Sequence, residues 1–108
     1  MTNLFRSIIF VPGNNPRFLE KAKLLSGDIV CFDLEDSVPD KEKQNARTLI
    51  AKKLKERKDF KASVFARTNS PQSGKVPSDL EKIVQKGLDG IVIPKVDSAK
   101  ELKKIEKI

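Results

Sequence analysis

The sequence predicts an α/β fold of four successive β-α units in a single domain of 108 residues. Four short apolar runs rich in β-formers occur along the chain, and each is followed by a segment with apolar residues at helical spacing. The runs are apolar throughout rather than alternating, which is typical of strands in a parallel sheet that helices cover. The predicted strands are residues 7–11, 29–34, 62–67 and 90–95.

Cap and turn residues predict a helix after each of the first three strands. Asn14 or Asn15 can cap the first helix, with Pro16 in its first turn. Gly27 suits the position just past the end of that helix, and Gly87 suits the end of the third. The first three helices are therefore expected at residues 16–26, about 40–57 and 77–87.

A fourth helix is predicted after the last strand. Ser98 and Glu101 have the spacing of a capping box, and Leu102 and Ile105 follow at helical spacing. Two architectures fit four β-α units of this kind: a small open α/β sheet, or half of an eight-stranded (β/α)₈ barrel. Periodicity does not choose between them.

The composition excludes several classes of function. The formal net charge is +7, but the lysines are spread among glutamates without interleaved aromatic residues, so we expect no nucleic-acid partner. The absence of histidine excludes histidine-based catalysis within this chain. No apolar run approaches the ~20 residues of a membrane span, so we expect no membrane contact. Cys31 lies in an apolar run and fits a buried residue in a reducing compartment, which indicates a cytoplasmic protein.

Charged residues follow two of the predicted strands directly. The apolar run at residues 29–32 leads into Asp33, Glu35 and Asp36, and the third strand closes with Arg67. In parallel α/β folds, the loops at the carboxyl ends of the strands build the active site. Acidic residues at that edge are poor packing residues, so we interpret this stretch as part of a functional site.

Four motifs follow one another along the chain: Arg6-Ser7 with Phe10-Val11-Pro12-Gly13-Asn14, then Asp33-Leu34-Glu35-Asp36-Ser37-Val38, then Arg67-x-Asn69, then Gly90-Ile91-Val92-Ile93-Pro94-Lys95. In this order and spacing they resemble the citrate lyase β-subunit family, which belongs to the HpcH/HpaI aldolase group. The resemblance extends from Arg6 to about Val96, and the four motifs together are far more specific than any one alone.

The resemblance implies a (β/α)₈ barrel, of which this chain matches the N-terminal half. It also implies an enzyme that cleaves or forms a carbon-carbon bond between an acyl-CoA and a keto acid, with Mg²⁺ as cofactor. In the family, the metal is held by a Glu and an Asp at the ends of the fifth and sixth strands. Those strands have no counterpart here, so we expect no metal ligand in this chain.

The resemblance also implies roles for residues near the active-site edge. Arg67, with Asn69, corresponds to the arginine that binds the keto acid, and a guanidinium can pair bidentately with a carboxylate. Asp36 and Lys41 correspond to an acid and a base beside the site. The alternatives are a surface arginine at a strand end and a salt-bridged pair at a helix start.

Two further residues are implied in acyl-CoA binding. Phe10 and the turn after it correspond to the loop that lines the acyl pocket, and Arg17 could meet a coenzyme A phosphate near a helix N-terminus. The alternatives are that Phe10 is a core residue and that Arg17 is a solvated charge.

Three functional hypotheses follow. The first is a lyase-family protein for citryl-CoA- or malyl-CoA-type substrates, expected to be inactive alone because the chain is truncated. The second is a non-catalytic half-barrel that assembles with a second copy or with a separately encoded C-terminal half, since an unclosed sheet exposes edges and an apolar face. The third is the product of a broken gene.

Overall fold

The computed structural model of the chain describes residues 7–26, 29–94 and 103–107. Its centre is a five-stranded sheet in the order β1-β2-β3-β4-β5. The first four strands run parallel to one another, and β5 runs antiparallel to β4. The strands are β1 (Ile8–Pro12), β2 (Ile29–Asp33), β3 (Ser63–Arg67), β4 (Gly90–Pro94) and β5 (Lys103–Lys107).

Three α-helices connect the parallel strands: α1 (Pro16–Lys21), α2 (Lys43–Leu54) and α3 (Val76–Ile83). Asn15 is the cap of α1, because its side chain accepts hydrogen bonds from the amides of Arg17 and Phe18. Pro16 occupies the first turn, as the sequence predicts. Short 3₁₀ turns extend the helical segments at residues 22–24, 40–42 and 57–59, which accounts for the longer first and second helices predicted from periodicity. The third helix ends at Ile83, so its predicted end at Gly87 is wrong.

The main core lies between one face of the sheet and the helices. Phe32 is fully buried there and meets the ring of Phe60 edge to face, with 5.7 Å between the ring centroids. The helices contribute side chains at the predicted spacing, which confirms the apolar face of α2. The buried residues of this core include Val30, Val64 and Ala66 from the strands and Leu19, Ala46, Ile50, Leu54 and Ile83 from the helices.

A second buried cluster lies on the opposite face of the sheet. It consists of Ile29, Cys31, Phe65 and Val92, with Ile8 packed against it. Successive residues of a strand point to opposite faces, so a strand buried on both faces is apolar at every position. That is why these strands do not alternate, and Cys31 is buried as the sequence predicts.

The fold class is confirmed: four parallel strands with interleaved helices, as in the N-terminal half of a (β/α)₈ barrel. The prediction of a last helix is wrong over residues 103–107, which form β5 with Ile105 opposite Val92. An unpaired edge of β4 would leave its N–H and C=O groups without partners, and backbone pairing there outweighs local helix propensity. The predicted start of that helix, at residues 98–102, lies outside the described residues, as do Gly27 and Lys95.

Backbone hydrogen bonds continue past the carboxyl ends of the strands and tie the loops together. The amide of Gly13 donates to the carbonyl of Asp33 at 2.9 Å, and that of Leu34 donates to the carbonyl of Arg67 at 2.9 Å. At position 13, a Cβ atom would lie 2.5 Å from the Asp33 oxygen and 2.8 Å from Cδ1 of Ile50. Only glycine allows the first loop to approach the second this closely.

No helix in the described ranges is long and apolar enough to cross a membrane.

Candidate active site at the carboxyl edge of the sheet

Asp33 and Arg67 form a bidentate ion pair at the carboxyl edge of the sheet. They are direct partners in the register of β2 and β3. Nε of Arg67 donates to Oδ1 of Asp33 at 2.8 Å, and Nη2 donates to Oδ2 at 2.9 Å. The Arg67 side chain is 7% exposed and that of Asp33 is 1% exposed, so water screens this pair little.

Asp33 also accepts hydrogen bonds from its own loop. The amides of Glu35 and Ser37 and the hydroxyl of Ser37 donate to its two oxygens at 2.8, 3.0 and 2.6 Å. Burial by itself would raise the pKa of Asp33, but the bonds from Arg67, Ser37 and the loop amides outweigh it and lower the pKa to about 2. Asp33 is therefore ionised at neutral pH.

The lowered pKa of Asp33 predicts a specific loss of stability in acid. The pKa falls from 3.8 to about 2 on folding, so Asp33 stabilises the fold above pH 3.8, and this contribution disappears as the pH falls towards 2. The shift corresponds to about 2 kcal/mol. Urea unfolding of the wild type and of Asp33→Asn at a series of pH values measures it. We expect the wild type to lose about 2 kcal/mol more than the variant between about pH 4 and pH 2; parallel pH profiles would contradict this.

Two further carboxylates and one aromatic ring surround Arg67. Oε1 of Glu35 lies 3.5 Å from Nε, and Oδ2 of Asp36 lies 3.8 Å from Nη2. The ring of Phe10 stacks on the guanidinium, with 4.4 Å between Cζ and the ring centroid. Burial would lower the pKa of Arg67, but the bonds and charges of the three acids raise it instead, so its positive charge is secure.

The loop that carries these acids closes over the ammonium group of Lys43, at the start of α2. Nζ donates to the carbonyl oxygens of Leu34, Val38 and Glu35 at 2.8, 2.9 and 3.1 Å. Lys43 is only 7% exposed, and burial lowers its pKa. These three bonds use all three N–H groups of the ammonium.

A second buried ionic cluster holds the loop that follows β3. Asp79, in α3, is fully buried and accepts from Nε of Arg47 at 2.7 Å. The amide of Asn69 donates to it at 2.8 Å, and the Nδ2 group of Asn69 donates at 2.9 and 3.2 Å. The cluster fixes the backbone two residues after Arg67 against helices α2 and α3.

The structure brings only some of the predicted site residues together. Arg67 and Phe10 are in contact, and Asp36 lies beside them with its side chain 79% exposed. Asn69 lies in the adjacent loop, where its side chain binds Asp79. Lys41 and Arg17 are exposed, and among the described residues no ion pair joins Lys41 to Asp36. The roles assigned to these six residues stay predictions.

Sequence reasoning missed Lys43, Arg47 and Asp79, which hold the two loops. A signal for the first two is their position on the apolar face of α2, since Lys43, Ala46, Arg47 and Ile50 recur at the spacing of buried residues. Asp79 precedes the buried Ile83 by one helical turn in the same way. Charged residues at such positions indicate buried ion pairs rather than solvated charges.

The described residues do not fit a Mg²⁺ site. Within the described ranges, no three Asp, Glu or Cys side chains are grouped so as to hold a metal ion. Asp33, Glu35, Asp36 and Arg67 together form what we call the rim. Asp33 is its most buried acid, and the two oxygens of Asp33 already accept hydrogen bonds from Arg67, Ser37 and the loop amides. A hard cation needs several oxygen ligands that are not already committed in this way.

A family model described as HpcH/HpaI aldolase/citrate lyase matches residues 6–108. The citrate lyase subunit beta of Leuconostoc mesenteroides subsp. cremoris is 33% identical over 105 residues, which are 97% of this chain and 35% of that protein. The citrate lyase subunit beta of Escherichia coli (strain K12) is 35% identical over 106 residues, which are 98% of this chain and 35% of that protein.

The (3S)-malyl-CoA thioesterase of Cereibacter sphaeroides (strain KD131 / KCTC 12085) is 37% identical over 101 residues, which are 94% of this chain and 35% of that protein. The chain therefore spans about a third of the length of these curated relatives. The family model covers nearly all of the chain, and the Asp33 and Arg67 motifs of the site lie within the matched region. On this match, the chain belongs to the HpcH/HpaI aldolase/citrate lyase family.

Proposed function

We propose that this chain supplies the carboxylate-binding rim of a carbon-carbon lyase that acts on citryl-CoA- or malyl-CoA-type substrates. The observation that carries the proposal is the state of Arg67, a buried guanidinium that Asp33 holds along one edge only. Relatives named citrate lyase subunit beta and (3S)-malyl-CoA thioesterase support the substrate class.

The second edge of the Arg67 guanidinium remains available to a ligand. Asp33 occupies the edge formed by Nε and Nη2, and within the described part of the chain Nη1 donates no hydrogen bond. Asp36 is the nearest acid to Nη2, and at 3.8 Å it is beyond hydrogen-bond distance and largely exposed. A substrate carboxylate can therefore take the edge formed by Nη1 and Nη2 without breaking the buried pair.

The negative charge of the rim favours a cation as cofactor. Asp33, Glu35 and Asp36 surround the single guanidinium of Arg67, so the rim is net negative, which weakens its attraction for a free keto acid anion. Mg²⁺ as cofactor is part of the proposal for this reason, with its ligands outside the described residues. A cation would offset the charge of the acids and polarise the keto acid.

The partners and the location are also proposed. The 108 residues cover 35% of the length of the relatives. We therefore propose that this chain alone binds a keto acid but does not catalyse its conversion. An acyl-CoA would be the second substrate, and the partner would be a second copy of the chain or a separately encoded C-terminal half. A cytoplasmic location is supported by the buried Cys31, which fits a reducing compartment.

Isothermal titration of the chain with oxaloacetate and with acetyl-CoA, with and without Mg²⁺, tests the proposal. We expect oxaloacetate to bind with or without Mg²⁺, because the described residues do not fit a metal site. We expect Arg67→Lys to weaken its affinity by about tenfold, because lysine keeps the charge but loses the planar fork. The matched control is Arg57→Lys, since Arg57 pairs with Asp89 at a distance from the rim.

The solution mass of each variant is measured alongside, and circular dichroism confirms that both are folded. An affinity for oxaloacetate that is the same in the wild type, Arg67→Lys and Arg57→Lys would overturn the role of Arg67. Absence of oxaloacetate binding by the folded wild type would overturn the proposed rim as a whole.

A further inference from the structure

The ammonium group of Lys43 is the centre of the loop that carries the rim acids. It is buried, and its three bonds go to backbone carbonyl oxygens of Leu34, Glu35 and Val38. Within the described ranges, Lys43 forms no ion pair, since Asp40, Asp33 and Asp79 act on it only at longer range. The loop therefore closes around a cation that belongs to the chain itself.

Such an arrangement is unfavourable for stability alone. Removing an ammonium group from water is costly, and the cost is not repaid here by a contacting carboxylate. A methionine or leucine at position 43 would avoid that cost, but it would leave the carbonyl oxygens of Leu34, Glu35 and Val38 without this donor. The buried charge is therefore best explained by the conformation that it imposes on the loop.

The peptide group between Leu34 and Glu35 shows how the conformation is transmitted. Its carbonyl oxygen accepts from Lys43 at 2.8 Å, and its N–H donates to Oδ1 of Asp33 at 2.8 Å. The peptide is trans, so its carbonyl and N–H point in opposite directions. When Lys43 draws the carbonyl to one side, the N–H is aimed at Asp33 on the other.

The same connection continues to Arg67. Asp33 accepts the loop amides and, with the same two oxygens, both nitrogens of the guanidinium edge. Hydrogen bonds thus connect the Lys43 ammonium through one peptide group to the Asp33 carboxylate, and from there to the Arg67 guanidinium. Each hydrogen bond in such a chain polarises and orients the next.

We infer that Lys43 is a positioning residue, which fixes the loop over residues 34–38 and, through Asp33, the orientation of the Arg67 guanidinium. The inference rests on the proposed function only for the statement that the oriented guanidinium meets a substrate carboxylate. The positioning itself is a property of the unliganded chain, and it is tested without substrate.

The chain offers a matched control for this inference. Lys41 is two residues away in the preceding 3₁₀ turn, and it is exposed. Lys41→Met removes the same charge as Lys43→Met and leaves the loop carbonyls untouched. Lys43→Arg retains a cation with several donors, so it is expected to rescue the loop in part.

The test is nuclear magnetic resonance of the ¹⁵N-labelled full chain, which follows the amides of Glu35 and Ser37 and the Nε–H group of Arg67. In Lys43→Met we expect all three signals to move and their exchange with water to become about tenfold faster, because the loop opens locally. In Lys41→Met they should stay within the wild-type range, and in Lys43→Arg they should return towards it. Amides in the middle of β3 report that the fold is retained.

A folded Lys43→Met with unchanged Glu35, Ser37 and Arg67 signals would overturn the inference. If that variant does not fold, Lys43→Gln, which retains two donors on a neutral group, is measured in the same way. Oxaloacetate titration of the same samples separates the two proposals. Altered Arg67 signals with unchanged oxaloacetate affinity would support the positioning role and contradict the role of Arg67 in substrate binding.

Discussion

Replacing Arg67 by methionine should lower the free energy of unfolding by about 3–5 kcal/mol, because it leaves the Asp33 carboxylate buried without its cation. Asp33 is 1% exposed, and two of its five hydrogen bonds come from Arg67. The loss is large against the roughly 5–15 kcal/mol that stabilises a typical domain. Urea unfolding followed by circular dichroism measures it.

A double-mutant cycle isolates the interaction from the cost of truncation. In the double variant Asp33→Asn/Arg67→Met the buried charge is gone, so we expect it to be clearly less destabilised than the sum of the single variants. Arg57→Met is the matched control, because Arg57 and Asp89 are 31% and 39% exposed and such pairs contribute about 0–1 kcal/mol. Additive single variants would show that the Asp33–Arg67 pair is uncoupled.

Asp79→Ala should destabilise the chain by about 3 kcal/mol or more, since it strips a buried arginine of its counter-ion. Asp79 is 0% exposed, and it accepts from Arg47 and from the amide and side chain of Asn69. These donors are buried with it, so the loss of the carboxylate leaves buried polar groups without their partner. Thermal and urea unfolding of the variant give the magnitude.

The control for Asp79→Ala lies on the same helix. Glu81 is exposed in α3, so Glu81→Ala removes one acid from that helix without disturbing the buried cluster. We expect its unfolding free energy to stay within about 0.5 kcal/mol of the wild type. Equal losses in Asp79→Ala and Glu81→Ala would mean that the charge of the helix, rather than the buried contacts, explains the effect.

The sequence predicted the parallel strands to within one or two residues because their signal is local. Each strand is a short apolar run bounded by turn residues, and burial on both faces accounts for the continuous apolar runs of β2 and β3. The cap of α1 was predictable for the same reason, since Asn15 satisfies amides only two and three residues away.

The strand β5 was not predictable in this way because its cause is distant in sequence. Residues 103–107 have a composition compatible with a helix, and a capping-box pattern precedes them. Their conformation depends on the hydrogen-bonding edge that β4 presents, which no property of residues 103–107 reports. Tertiary pairing therefore overrides the local preference.

The site was predictable in part. Arg67 and the acids after β2 could be placed at one edge, because the carboxyl ends of parallel strands meet there. Lys41 was named on the family resemblance, and Lys43 was not considered as a site residue. The distinction is made by burial: Lys43 faces the loop carbonyls, whereas Lys41 faces solvent.

The antiparallel strand β5 has a kinetic consequence for any growth of the sheet. All five residues of β5 are in register with β4 from Gly90 to Pro94, so the edge of β4 is already occupied over its full length. A parallel strand can join β4 only by strand exchange, in which β5 dissociates first or is peeled away stepwise. Assembly at this edge should therefore be slow. If β5 dissociates first, its opening rate limits assembly, whereas stepwise peeling would still speed up as the concentration of the incoming chain rises.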